Sequence, residues 1–406
     1  MDINSESAQV LFAVNAVQAG ICYLSFYRIC VGQKLLFVVT EDWYFISHRL
    51  PLAIAAREKG YEVVVATRVD RHGPAIEEAG LRLIPLKRLR RASLNPFREL
   101  SALMELAAIY RRERPALVHH VALKPVVYGS LAARVADVPG TVNALAGLGF
   151  VFSSRRLFAR FLRPLLILIF RLLLNSQSGR LIVQNRDDLR VLTEKGVVSP
   201  AYIRLIRGAG VDLDRFKVKP LGDGKPLVVL ASRMLWDKGV GEFVGAARRL
   251  KGQGMEARFV LVGDTDTENP TAISRQQLAQ WQAEGVVEWW GHREDMPEVL
   301  SQAQVVCLPS FYGEGIPKVL IEAMACARPI ITTDMPGCRE LVREGENGYV
   351  VPPRDVDALA AALLQLLQDH AVCVRMGMAG RRIAEAEFSV HRIVSETLDV
   401  YRELLA

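Results

Sequence analysis

The residues best suited to chemistry lie in the run Phe311-Tyr-Gly-Glu-Gly-Ile-Pro-Lys-Val-Leu-Ile-Glu-Ala-Met-Ala. Gly313 and Gly315 have no side chain, so the backbone there can approach a ligand closely. Pro317 suits the first position of a helix, where its missing N–H would have no helical partner anyway. The free N–H groups around Ile316, Lys318 and Val319 then point out of a helix N-terminus, a seat for an anion such as phosphate. Glu314 precedes that seat, and Glu322 lies ~7.5 Å further along the helix axis. Carboxylates accept paired hydroxyls well, so one could address a sugar beside linked phosphates and the other a ribose behind them. Two glutamates at that spacing would, alone, be a cap and a solvated side chain. Here a strand, two glycines and a helix start coincide with them.

A second cluster is Ala231-Ser-Arg-Met-Leu-Trp-Asp-Lys-Gly, which follows one strand and precedes a helix. Arg233 and Lys238 can face the same side of a tight turn. Arginine offers phosphate a two-pronged fork and lysine a mobile point charge. Together they would neutralise a diphosphate as negative charge grows on it. Asp264 and Asp266 are the only near-match to a metal-binding aspartate pair. Their more natural place is a loop after a strand, so no metal is expected.

These residues need a scaffold of alternating strands and helices. Lys34-Leu-Leu-Phe-Val-Val-Thr reads as a buried strand, and Arg49 to Lys59 as a helix stopped by Gly60. Further strands are expected from Tyr61 to Thr67, Ala116 to His120, Gly140 to Ala144 and Arg180 to Gln184. The rhythm restarts with strands at Lys225–Ser232, Arg258–Gly263, Gln304–Pro309 and Pro329–Thr333. Helices are expected at Glu242–Lys251 and Ala358–Leu367. Strand and helix in alternation imply parallel sheets covered on both faces. The fold class is α/β, with two doubly wound, Rossmann-like domains and ligands at the carboxyl ends of the strands. The expected divisions are an N-terminal extension over 1–33, a first domain over 34–216, a second over 217–385 and a last helical segment over 386–406.

The 406 residues fit two domains, and 50% hydrophobic with 23% charged residues excludes a globally disordered chain. The net charge of +7 is unevenly spread. Residues 1–208 carry 29 Lys+Arg against 16 Asp+Glu, and residues 209–406 carry 22 against 28. From Val138 to Arg186 there are seven arginines and no acid. The first half is therefore expected to face something anionic, a phospholipid or a lipid diphosphate. No nucleic-acid motif accompanies this charge. The scattered Cys22, Cys30, Cys307, Cys326, Cys338 and Cys373 read as buried free thiols in a reducing cytosol. The charge-free stretch 7–27 is marginal as a membrane span, being interrupted by Gln9, Asn15 and Gln18. The segment Arg155–Leu174 suits either a helix lying in a membrane interface or a core helix with a basic outer face.

The set Ser232-Arg233-x4-Lys238-Gly239, Gly263, Gly291-His-Arg-Glu-Asp-Met, Glu314-Gly-Ile-Pro, Glu322-Ala-Met-Ala, Pro329-Ile-Ile-Thr-Thr-Asp and Gly345-Glu-Asn-Gly resembles retaining glycosyltransferase family 4. The resemblance runs from about Lys34 to near the C-terminus. It implies the GT-B fold, two Rossmann-like domains facing a central cleft, with a final helix packed back on the first domain. It implies that Arg233 and Lys238 grip the donor diphosphate, Glu314 meets the donor sugar and Glu322 the ribose. Gly263 and the backbone from Gly315 through Ile316, Pro317 and Lys318 to Val319 would line the donor, with His292 and Arg293 near its base.

Tyr44-Phe-Ile-Ser-His-Arg-Leu-Pro-Leu-Ala, Asn143-Ala-Leu-Ala-Gly-Leu-Gly-Phe and Arg207-Gly-Ala-Gly-Val-Asp look like enzymes that build bacterial surface polysaccharides. The likeness implies a nucleotide sugar as donor substrate, most naturally UDP-linked and carrying a hexose or N-acetylhexosamine, with no cofactor. It implies a saccharide on undecaprenyl diphosphate as acceptor, at the cytoplasmic face of the cell membrane. His48, Arg49, Lys124, Asn143 and Gly147 would contact the acceptor side. Lys87, Arg88, Arg90 and Arg91 form a basic loop suited to a lipid diphosphate. Many relatives have a histidine where this chain has Ala146; His120 is a candidate substitute, though a structural role at a strand end is the favoured reading for it. Rival readings are a UDP-sugar epimerase or sugar-phosphate synthase on this scaffold, a soluble-acceptor enzyme, or a non-catalytic nucleotide-sugar-binding subunit.

Overall fold

The computed structural model describes residues 32–91, 95–148, 157–222 and 224–406. The expectations for the extension 1–33 up to residue 31, for the charge-free stretch 7–27, for Cys22 and Cys30, and for Arg155 and Arg156 lie outside the described residues. Among those described, thirteen strands form two parallel sheets. The first runs β3-β2-β1-β4-β5-β6-β7, from β1 (Lys34–Glu41), β2 (Glu62–Arg68), β3 (Arg82–Pro85), β4 (Leu117–Val121), β5 (Gly140–Leu145), β6 (Gly179–Val183) and β7 (Ile203–Leu205). The second runs β10-β9-β8-β11-β12-β13, from β8 (Leu227–Ala231), β9 (Arg258–Val262), β10 (Glu288–Trp289), β11 (Val305–Leu308), β12 (Ile330–Thr333) and β13 (Gly348–Val351).

Period-two geometry explains why the second sheet is buried on both sides. Val228 and Leu230, Phe259 and Leu261, and Val305 and Cys307 enter one core layer. Their neighbours Val229, Val260, Val262, Val306 and Leu308 enter the other. Successive side chains point to opposite faces, so a strand covered by helices on both sides must be apolar throughout. In each sheet the strand order reverses once, between β1 and β4 and between β8 and β11. A crevice opens outside the carboxyl ends of the strands at such a point.

The chain divides into two compact units, one of residues up to 143 with 176–180 and 396–406, the other of 144–175 and 181–395. The divisions expected at 217 and 386 fall elsewhere. Residues 181–216 join the second unit because the end of β6 is bonded to its 314–316 loop, as described below. Within the first unit, Tyr401 from the helix Val390–Leu405 bonds His119 on β4 at 2.5 Å. Where a loop and then a helix over Arg49–Lys59 were expected, two helices occur, Asp42–His48 and Leu50–Glu58. The first is anchored by buried Asp42, whose carboxylate accepts the N–H groups of Trp43, Asp70 and His72.

The segment forms the helix Leu157–Leu174, one edge of which packs into the core. Phe170, Leu173 and Leu174 are buried, while Leu165, Leu168 and Leu172 are exposed. Among the described residues no single helix is long and apolar enough to cross a membrane. Cys307, Cys326, Cys338 and Cys373 are buried free thiols.

Candidate active site

At the reversal of the second sheet, β8 leads into Ser232 and Arg233, while β11 leads into the loop carrying Ser310 and Glu314. Gly239 makes this approach possible. It sits at φ +75°, and a β-carbon there would overlap the Pro309 carbonyl. The turn Trp236–Lys238 is thereby seated against the end of β11. Lys238 Nζ pairs with Glu314 Oε1, both side chains being largely buried. The Ser310 hydroxyl stands 3.0 Å from the same carboxylate oxygen, and Thr333 on β12 fixes the Ser310 carbonyl. The Lys238 and Ser310 contacts both fall on Oε1, which leaves Glu314 Oε2 without a hydrogen bond among the described residues. Arg233 Nη1 pairs with Asp266 Oδ2 at 2.5 Å, and Arg275 with Asp264 Oδ2 at 2.5 Å. Each aspartate of that loop is thus held by an arginine. Gly263, after β9, packs so closely on the Ser232 carbonyl that no side chain fits.

The 314–316 loop is clamped from several directions inside the second unit. Asn185 Nδ2 donates to the Glu314 carbonyl at 3.0 Å, and Gln184 Oε1 accepts the Ile316 N–H at 3.1 Å. Gly147, at φ +105°, would bring a β-carbon to 3.0 Å from Gly315 N. Gly337, at φ +77°, leaves no room for one beside the Gly315 carbonyl. The Ile316 N–H therefore differs from its expected role as a free anion donor, because Gln184 uses it. The helix starts at Lys318 with Pro317 as its cap, one residue later than expected. The N–H groups of Lys318 and Val319 make no recorded backbone bond, as first-turn donors do. Glu322 is buried and pairs with Lys318 at 3.1 Å. Burial raises its pKa, against the opposing pull of Lys318 and then Arg215.

Gln184 and Asn185 escaped the sequence reading. Their signal was a polar pair closing a buried strand, in Gly179-Arg-Leu-Ile-Val-Gln-Asn, at the end where ligands bind. Asn185 also caps the helix Arg186–Glu194 and donates to Asp188 at 2.9 Å. Burial lifts the Asp188 carboxyl to about 6, against hydrogen bonds from Asn185 and the Leu148 N–H.

Other expected donor residues are differently engaged. Arg293 forms a two-pronged pair with Asp295 at 2.7 and 2.5 Å and lies over Trp290, and His292 is exposed. In the first unit, His48 Nδ1 is 2.6 Å from Ser47 Oγ and its ring stacks on Tyr44. Arg49 is buried, its charge beside His119 and Tyr401. Lys124 pairs with Glu99 at 2.9 Å and donates to the Arg90 carbonyl. Asn143 is buried, bonded by His120 at 2.8 Å and Ser130 at 2.9 Å. His120 is itself buried, also bonded by Tyr110, so it stands in the core and not in place of the absent histidine. Gly147, expected to contact the acceptor, stands against the 314–316 loop.

Two Rossmann-like sheets, with paired cations and a glycine-bounded helix start at the switch point of one, define the GT-B class of glycosyltransferases. Residues 225–369 match the family described as Glycosyl transferases group 1, and residues 34–185 the one described as Glycosyl transferase 4-like; the chain belongs to these glycosyltransferases. It is 28% identical to an N,N'-diacetylbacillosaminyl-diphospho-undecaprenol alpha-1,3-N-acetylgalactosaminyltransferase of Campylobacter jejuni, over 89% of this chain and 98% of that one. It is 23% identical to a UDP-Gal:alpha-D-GlcNAc-diphosphoundecaprenol alpha-1,3-galactosyltransferase of Escherichia coli, over 77% of this chain and 82% of that one. Among solved structures, Anabaena HepE in complex with UDP and glucose superposes with a TM-score of 0.74 at 17% identity, covering 91% of this chain and 99% of that one.

Proposed function

We propose that this enzyme moves a hexose or N-acetylhexosamine, with retention, from a UDP-sugar to a hydroxyl of an undecaprenyl-diphosphate-linked saccharide in surface-polysaccharide synthesis. The observation that carries the donor half is the Lys238–Glu314 pair beside the unused N–H groups of Lys318 and Val319. Lys238 and Arg233 neutralise the diphosphate as the sugar bond breaks, and the helix start adds oriented donors to the same charge. These groups make a metal ion or cofactor unnecessary. Glu314, held by Lys238 and Ser310 through one oxygen, keeps the other for a hydroxyl of the donor sugar. Glu322 accepts from the ribose. The departing diphosphate takes the proton of the incoming hydroxyl on the same face, which retains the anomeric configuration.

The acceptor half rests on what the Campylobacter and Escherichia relatives are described as doing. The excess of 29 basic over 16 acidic residues in 1–208 suits work at the inner face of the cell membrane. The test is transfer from UDP-, GDP- and ADP-sugars to a synthetic diphosphate-lipid saccharide, with the new linkage assigned by its anomeric NMR coupling. An inverted product, or transfer from the GDP-sugar alone, overturns the assignment.

A further inference from the structure

The helix Pro96–Glu113 shows two unlike faces. Ala102, Leu106, Ile109 and Tyr110 are buried against the first sheet's core. Phe97, Leu100 and Met104, spaced three and four apart and so on one face, are 83%, 57% and 59% exposed. Asn95 caps the helix by accepting the N–H groups of Phe97 and Arg98, which fixes Phe97 on the first turn.

An exposed basic loop, Lys87, Arg88 and Arg90, is held beside this helix. The Glu105 carboxylate accepts the backbone N–H groups of Lys87 at 2.9 Å and Arg88 at 3.0 Å. Lys124 donates to the Arg90 carbonyl at 3.0 Å and pairs with Glu99. Glu105 and, through Lys124, Glu99 are thereby engaged in holding the loop, while the basic side chains of Lys87, Arg88, Arg90 and Arg98 remain exposed.

We propose that this face of the first unit docks on an anionic bilayer, Phe97, Leu100 and Met104 entering the headgroup–acyl boundary while the basic loop meets lipid phosphates. Exposed apolar side chains on one helical stripe, rimmed by cations, are what an interfacial helix requires. The cations beside the stripe suit an anionic lipid surface better than the core of a protein interface, which is depleted of charge. The proposal rests on the lipid-linked acceptor reading and names the surface that brings the enzyme to that acceptor.

The test is flotation of the full chain with vesicles of phosphatidylcholine alone or mixed with phosphatidylglycerol, for the wild type and for Phe97→Ser/Leu100→Ser/Met104→Ser. Wild type is expected on the mixed vesicles only, released by salt, with the triple variant bound about tenfold less. Transfer to a short-chain, water-soluble diphosphate acceptor should be equal in both. Equal flotation of the two proteins overturns the proposal, as does equal binding to neutral vesicles. Self-association that the variant loses, without vesicle binding, also overturns it and assigns the stripe to a second copy. Absence of transfer to the soluble acceptor by wild type would instead strike the acceptor reading, which flotation does not measure.

Discussion

Lys238, from the turn after β8, is ion-paired with Glu314, from the loop after β11, seventy-six residues further along the chain. Neither strand end alone makes a site. The reversal of strand order between β8 and β11 puts the two ends side by side, and Ser310 fixes the carboxylate from below.

Replacing either partner should cost activity far more than stability. Lys238→Ala is expected to lower kcat by about 10²–10³, the scale for losing one oriented group at a developing charge. Glu314→Ala should retain the fold by circular dichroism and lose most transfer. Full turnover in Glu314→Ala would remove the role given to that carboxylate.

Gln184 is expected to act through the loop it holds. Gln184→Ala leaves the buried Ile316 N–H without its acceptor, a loss of roughly 1–3 kcal/mol, and should raise the donor KM more than it lowers kcat. Gln184→Glu keeps an acceptor oxygen and should restore much of both. Denaturant melts and steady-state kinetics on the two variants separate this from general damage.

Gly337→Ala tests the packing behind the donor loop. A β-carbon there meets the Gly315 carbonyl, at a φ that side chains avoid. The expected cost is about 1–3 kcal/mol, with donor affinity falling. Unaltered binding of UDP by calorimetry would show that the 314–315 backbone does not line the donor.

Asp188 should leave a pH signature. Its carboxyl is lifted by burial to about 6 in the folded chain, above the ordinary 3.8. The folded state therefore holds its proton more tightly than the unfolded one. Stability from this group is full below about pH 4 and falls as pH rises to about 6, by roughly 2 kcal/mol. Asp188→Asn should flatten that part of the stability–pH curve, measured by urea melts between those limits.

The central strands were all legible, because a strand covered on both faces must be an unbroken apolar run, as in Leu227–Ala231. The four unforeseen strands, β3, β7, β10 and β13, are the edge strands of the two sheets. Their residues are largely half-exposed, so no such run marks them. The helix Asp42–His48 went unseen because its anchor is a carboxylate bonded to backbone N–H groups near residue 70, which no local pattern announces.

The chemistry divides similarly. Residue type and spacing alone singled out Arg233, Lys238, Glu314 and Glu322 as the candidate polar groups of a strand–loop–helix phosphate site, since glycines, strand ends and helix starts are local signals. Tertiary structure alone decided which groups pair: Lys238 with Glu314, Arg233 with Asp266, Ile316 with Gln184. It also committed Asn143 and His120 to the core and Lys124 to Glu99. Those partners lie far apart in the chain, and a hydrogen bond is set by distance in space, which spacing in sequence does not encode.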